Sequence, residues 1–324
     1  MKQASIFDLS NEHEFTWKSK HIKFFLDLPN IGPNTVEKII EIVPDISHWD
    51  KEFVASMSSN YEKFKSLLPN QIPILEDLDD EMVMNFKEDR FPKALKQMPK
   101  DRPLLLWYKG NLKIETGIAV VGSRNILIET KEVVQEFIKN FRNTNVSIVS
   151  GLAKGVDEEA HLSALKNNIQ TIAVLPSSLD NILPSSNSKL AYEIVDNGGL
   201  LVSEYAPGSP RKPENSNYIA RNRLQAGFSD LVFVAQSSIP GGTMSTAKFA
   251  LEYFKKLAVY KSNQNIDTEE YKGNKYLLEK IDQNFNFKIL KFTKKHIEIL
   301  KQKQSLADYS VAEDLDEILK IFLN

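Results

Sequence analysis

Short apolar runs alternate with amphipathic stretches over most of the second half of the chain. Six apolar runs stand out between Gly117 and about residue 287: IAVVG (118–122), VSIVSG (146–151), TIAVLP (171–176), GLLVSE (199–204), DLVFVA (230–235) and LAVY (257–260). Each is short and almost continuously apolar, the pattern of a strand buried on both faces. Between them lie stretches with helical spacing: ETKEVVQEFIKNF, GVDEEAHLSALKNN, NSKLAYEIVDNG, NYIARNRLQAGF and TMSTAKFALEYFKK. The alternation predicts an α/β fold, a mostly parallel sheet with helices on both faces. Ahead of it, residues 1–66 read as a small helical domain centred on KHIKFFLDLPNIGPNTVEKIIEIV. Residues 67 to about 115 are punctuated by proline and read as short strands and turns feeding the larger domain. The expected division is 1–66, 67–287 and a short helical tail at 288–324.

An open parallel sheet binds ligands outside the carboxyl ends of its strands. The residues that follow each run are therefore the candidate site. After the first come Gly122, Ser123 and Arg124; after the second, Ser150, Gly151, Lys154, Gly155 and Asp157. The third leads to a Ser/Asn-rich loop with Asn187 and Lys189. The fourth leads to Arg211, Lys212, Arg221, Asn222 and Arg223, and the fifth to a turn with Gly241, Gly242 and Thr243. Small residues, hydroxyls and cations dominate these loops, which predicts one electropositive rim suited to an anion. Lys154, Lys189, Arg221 and Arg124 are expected to share one groove. Tyr192 beside them is either a base-stacking face or a core aromatic. His161 and Glu204 read as packing and structural residues rather than catalysts, since no partner is placed beside either.

Composition narrows the choice of anion. The chain has 324 residues, 42% hydrophobic and 26% charged, with a formal net charge of −2. A nucleic-acid site must therefore come from local gathering of cations. With no cysteine, and five histidines far apart (His13, His21, His48, His161 and His296), a metal site is not expected. The N-terminus, MKQASIFDLSNEHEF, does not read as a signal peptide, and no run approaches a membrane span. A cytoplasmic protein is expected. Gly122 is not followed by the second and third glycines of a dinucleotide fingerprint, and no P-loop pattern occurs, so no nucleotide cofactor is expected.

Taken in order, FPKALKQMPKDRPLLLWYKGN, VVGSRN, SGLAKGVDEEAHLSAL, TIAVLPSSLDNILPSSNSKL, GGLLVSEYAPG, RNRLQAG, GGTMSTAKFALE and KGNKYLLEK resemble the DNA-processing protein A (Smf) family over about residues 88–285. The resemblance implies an extended Rossmann-like fold without a cofactor. It also implies single-stranded DNA binding, a homodimer, and transfer of DNA to a RecA-type recombinase in natural transformation. The chain departs from the family pattern in three places. Tyr218 opens the family's Phe-x-x-Arg-Asn-Arg, Pro240-Gly241-Gly242-Thr243-Met244-Ser245 replaces the usual Ser-Gly-Ser, and the winged-helix tail is absent or reduced. Foreign-DNA sensing is an alternative setting for the same binding. PGGTMSTAKFALE also resembles the turn of phosphoribohydrolases that cleave nucleoside monophosphates. Met244, Ser245 and Lys248 stand where that motif has glycine, threonine and an acid, so a non-enzyme is expected. DLPNIGPNTVEKII resembles a helix-hairpin-helix (or SAM-like) motif with Asn30 at its first glycine; a plain helical hairpin fits it equally.

Overall fold

The computed structural model describes residues 17–76, 78, 82–209 and 213–322; Arg211, Lys212 and the N-terminal stretch read above lie outside them. The chain forms two compact units, Met1–Phe91 with Pro103–Leu105, and Pro92–Arg102 with Leu106–Asn324.

In the first unit, helices α1 (Ser19–Asp27), α2 (Pro33–Ile42), α3 (Lys51–Ser56) and α4 (Tyr61–Leu67) precede a short strand, β1 (Val83–Asn85). Ile22 and Phe25 of α1 and Val36, Ile39 and Ile40 of α2 are buried at helical spacing. The turn between them has Asn30 in the left-handed region at φ 62°, Ile31 buried, and Pro33 at the first helical position.

The second unit contains α5 (Lys93–Lys96), all but the first residue of β2 (Leu105–Gly110), β3 (Thr116–Gly122), α6 (Ile128–Lys139), β4 (Val146–Ser150), α7 (Val156–Lys166), β5 (Thr171–Val174), α8 (Ser188–Asp196) and β6 (Leu200–Ser203). It continues through α9 (Asn215–Gly227), β7 (Leu231–Gln236), α10 (Gly242–Glu252), β8 (Lys256–Val259), α11 (Lys272–Leu278), α12 (Lys294–Leu300), β9 (Tyr309–Ser310) and α13 (Leu315–Phe322). Its strands run in the order β2-β6-β5-β4-β3-β7-β8-β9. Every pair is parallel except β2–β6. The fold is Rossmann-like, as the alternation and the resemblance imply.

Alternate residues of each strand face opposite layers. Ile118 and Val120 of β3, with Ile148 of β4 and Leu231 and Phe233 of β7, meet Val134 and Phe137 of α6 and Ala160 of α7. Helices α9 and α10 cover the opposite face. The C-terminal stretch does more than form helices. Tyr309 and Ser310 pair with Ala258 and Val259 at the sheet edge, and Ile318 of α13 enters the core beside α6. A two-residue strand carries no periodicity to read, so helical spacing alone does not reveal it. Among the described residues, no helix is long and apolar enough to cross a membrane.

His161 on α7 is fully buried, as a packing residue should be. The Thr171 hydroxyl donates to the Ile148 carbonyl, so it accepts from His161 Nδ1 at 2.7 Å. Burial, with a smaller effect from the Arg221 charge, pushes the imidazole down to about 3 from its ordinary 6.5. Below pH 6.5 the unfolded chain therefore takes up a proton that the folded chain refuses. Stability is lost as pH falls from 6.5 towards 3, by about 1.4 kcal/mol per unit. In His161→Leu, the stability difference between pH 7.5 and pH 5 measured by urea unfolding should shrink by about 2 kcal/mol. An unchanged difference would remove His161 as its source.

Candidate functional site

Strand β3 lies between β4 and β7, and the chain winds outward from it in both directions. That makes the carboxyl end of β3 the switch point where a crevice opens. The residues there are Gly122, Ser123 and Arg124. A register shift between Val121 and Gly122 turns the chain out of the sheet. Ser123 N–H donates to the Gln236 carbonyl at 2.9 Å, and Val156 N–H donates to the Ser123 carbonyl at 3.1 Å. The buried Gln236 side chain also accepts from Leu127 N–H and Thr130 Oγ1 and donates to the Asn125 carbonyl. The loop is thus held from β7 and from the start of α7. Gly155, just before α7, has φ 80° and packs directly against the backbone of Ser123 and Arg124.

This loop borders a cleft of about 630 Å³. Its other walls are α9, through Tyr218, Arg221, Asn222 and Gln225, and the turn and first turn of α10, through Gly241, Gly242, Thr243 and Thr246. Gly241 caps α10 with no side-chain hydrogen bond, so the helix start offers its backbone N–H groups to the cleft. Asn222 Nδ2 fixes that turn by donating to the Gly242 carbonyl at 3.2 Å and to Ser245 Oγ at 2.7 Å. A second cavity of about 370 Å³ shares Arg124, Ala153, Tyr218 and Arg221 with the first. Gly151, Lys154, Pro176, Leu183, Pro184 and Ser185 complete it.

The electrostatics centre on Arg221. Its side chain is 6% exposed, donates from Nη1 to the Val174 carbonyl at 3.1 Å, and leaves buried Nε without a partner. Asp157 lies 3.8 Å away, beyond hydrogen-bond length, and also accepts from Gly151 N–H at 3.2 Å. Burial pushes the Asp157 carboxyl up, opposed by Arg221, and pushes the Arg221 guanidinium down, opposed by Asp157. The cation is only loosely neutralised by the protein. Gly151 makes room for it, since a Cβ there would overlap Nη1. Exposed Arg124 lies over the Tyr218 ring, 5.5 Å from its centroid.

The structure thus brings together Gly122, Ser123, Arg124, Gly151, Lys154, Arg221, Asn222, Gly241, Gly242 and Thr243. Four expected residues line neither cavity. Ser150 is buried, its hydroxyl donating to the Val120 carbonyl. Asn187 is buried and donates to the carbonyls of Leu152 and Ala153. Arg223 forms a two-armed pair with Glu204. Lys189 has a 90% exposed side chain paired with Glu193 one turn along α8, so it does not complete a groove with Arg124. Tyr192 is exposed beneath Lys109 rather than packed in the core. Residues that strand-end reading misses are Gln225, Thr246 and Gln236. For Gln225 the signal is the polar stripe 218, 221, 222, 225, which puts one face of α9 on the cleft.

Comparison with known proteins agrees with this fold. Protein Smf of Borreliella burgdorferi is 36% identical over 172 residues, 52% of this chain and 54% of the relative. The DNA processing protein DprA of Streptococcus pneumoniae is 40% identical over 167 residues, 51% of this chain and 57% of the relative. The chain spans about half the length of these curated relatives. The X-ray structure of the pneumococcal protein superposes with a TM-score of 0.66 at 27% identity, covering 81% of this chain and 92% of that one. A structure of DNA processing protein A from Helicobacter pylori, described for its single-stranded DNA binding mode, superposes with a TM-score of 0.55 at 27% identity, covering 74% of this chain and all of that one. The family model for DNA recombination-mediator protein A matches residues 82–289, which include every wall of both cavities, and the chain belongs to that family.

Proposed function

We propose that this chain binds single-stranded DNA through its phosphates along the two joined cavities. In this reading it works as a homodimer in DNA uptake and recombination and passes the strand to a RecA-type recombinase. The observation that carries the binding reading is Arg221, a buried cation with an unpartnered Nε and a carboxylate held only at 3.8 Å. A phosphate supplies the missing acceptor. Arg124, Lys154 and the uncapped start of α10 surround the same space. A line of donors suits a single strand, whose phosphates repeat along a track. Hydrolysis of nucleotides is less well supported. Among the described residues lining the first cleft, Asp157 is the one carboxylate, and it already faces Arg221.

The test is a titration with single-stranded DNA, duplex DNA and nucleoside monophosphates side by side. Single strands should bind best, with affinity falling steeply as salt rises. Arg124→Ala should weaken binding by about 1–3 kcal/mol with no change in the unfolding midpoint. Charge reversal at Lys189, or at Lys139 and Arg142 at the end of α6 away from Arg124, should leave the affinity alone. Equal losses from all of these changes would mean diffuse attraction, and the cavities would not be the site.

A further inference from the structure

Positive charge is unevenly spread over this chain. Residues 281–304 hold six lysines against two acids, Asp282 and Glu298, although the whole chain has a formal net charge of −2. This segment leaves the fold after α11 and returns just before β9. Ile281 N–H closes its base by donating to the Gln304 carbonyl at 2.7 Å. Leu290, Phe292 and Leu300 are buried and hold it on the domain. Lys248 of α10 fixes it from the side, donating from Nζ to the Lys291 carbonyl at 3.2 Å. The excursion is therefore packed, and what it turns outward is charge. Lys301 and Lys303 are paired with Glu298 and Asp308. Lys288, Lys291, Lys294 and Lys295 are exposed and meet no carboxylate among the described residues. Surface lysines elsewhere do find one, as Lys261 finds Glu313 and Lys275 finds Asp267. Like charges gathered without acids repel one another and favour an anion from outside.

Position and chemistry select the anion. Helix α10 starts on the wall of the first cleft at Gly242, and Lys248 lies six residues further on, a rise of about 9 Å. Lys291 is held at that point, so the lysines begin a short way along α10 from the cleft. The aromatic ring between them, Phe292, is buried and offers no face to a base. Lysine is a compact point charge without the geometry of a fork, suited to phosphates and indifferent to base identity. We propose that Lys288, Lys291, Lys294 and Lys295 form a second DNA-contacting surface. It takes the phosphates of the bound strand where that strand runs out of the cleft past α10. This rests on the single-strand reading above and adds to it a sequence-blind track outside the cavities.

The test titrates a dT 40-mer at several salt concentrations into wild type and two fourfold variants. One changes Lys288, Lys291, Lys294 and Lys295 to Gln. The other removes the same charge elsewhere, changing Lys113, Lys139, Arg142 and Lys166 to Gln. These four are exposed and precede β3, β4 and β5, away from the carboxyl ends of the strands. The first variant should bind about tenfold more weakly at low salt, with a salt slope shallower by about 3, since each single-strand phosphate contact contributes about 0.7. The second should bind as wild type does. Unfolding midpoints equal to that of wild type show that both variants are folded. Equal losses from the two variants would mean attraction by overall charge and would overturn the proposal. No loss from the first, with Arg124→Ala still weakening binding, would also overturn it, leaving the lysines to an acidic protein surface and the cavities in place. Failure of wild type to bind the 40-mer would instead remove the single-strand reading, and this proposal with it.

Discussion

Asp157→Ala should cost the fold about 3 kcal/mol and yet bind single-stranded DNA more tightly than wild type. The two effects have one cause. Arg221 is buried, and Asp157 is the carboxylate that faces it. Removing one member of a buried pair leaves an uncompensated charge, which costs about 3–5 kcal/mol in proteins generally. The lower figure applies because the separation of 3.8 Å is already loose and because the cleft opens beside the guanidinium. Replacing both residues, as Asp157→Ala with Arg221→Met, should recover most of the loss, since the charge leaves with its partner. Urea unfolding of the two single variants and the double variant measures this directly. If the double variant is no more stable than Asp157→Ala, the Gly151 N–H bond to Asp157 carries the stability and the ion pair does not. Binding then separates the roles. Without Asp157, no carboxylate remains among the described residues lining the cleft, so added single-stranded DNA should stabilise Asp157→Ala by more than it stabilises wild type. The double variant should show no such gain.

Which parts of this site a sequence reveals follows from geometry. Strands β3 to β8 are buried on both faces, so they appear as continuous apolar runs and their ends can be located. Gly122, Ser123 and Arg124 follow such an end directly and are placed as expected. Side-chain direction on helices is harder. Arg221 and Arg223 are two residues apart, which turns them about 200° from each other on α9. One of them has to face away from the cleft, and nothing in RNR says which; Glu204 takes Arg223 from the other side. Lys189 sits at the start of α8, just after the Leu183–Ser185 edge of the second cavity, but its direction along α8 leads to Glu193 and solvent. Asn187 and Ser150 look like ligand-binding residues because polar side chains in loops and strand ends often are. Here they satisfy backbone carbonyls that the irregular chain leaves open. Gln225 was hidden for the opposite reason. It lies near the end of a helix, between Leu224 and Ala226, where only its spacing from Tyr218, Arg221 and Asn222 shows that it shares their face.

Gly155→Ala should be the most damaging of the small substitutions at the rim. Two costs act together. The residue has φ 80° and ψ −121°, a conformation that an L side chain rarely adopts. A Cβ there would also lie 2.4 Å from the Ser123 carbonyl oxygen and 2.5 Å from that of Arg124. Both obstacles are backbone, so no rotamer change relieves them. Gly198 separates the two costs. It has φ 77°, but its Cβ would meet nothing within 4 Å. Gly198→Ala should therefore lose about 1 kcal/mol, whereas Gly155→Ala should lose about 3 kcal/mol or more. The functional consequence comes through the loop. To make room, Ser123 and Arg124 must move away from the start of α7, breaking the Val156 N–H bond to Ser123 and lifting Arg124 from the Tyr218 ring. Single-strand affinity should then fall at least as far as in Arg124→Ala, although no charged group has been removed. Gly198→Ala should keep wild-type affinity. If Gly155→Ala matches Gly198→Ala in stability and binds DNA as wild type does, the contact between α7 and the Ser123-Arg124 backbone does not set the geometry of the site, and the placement of Arg124 must come from Gln236 alone.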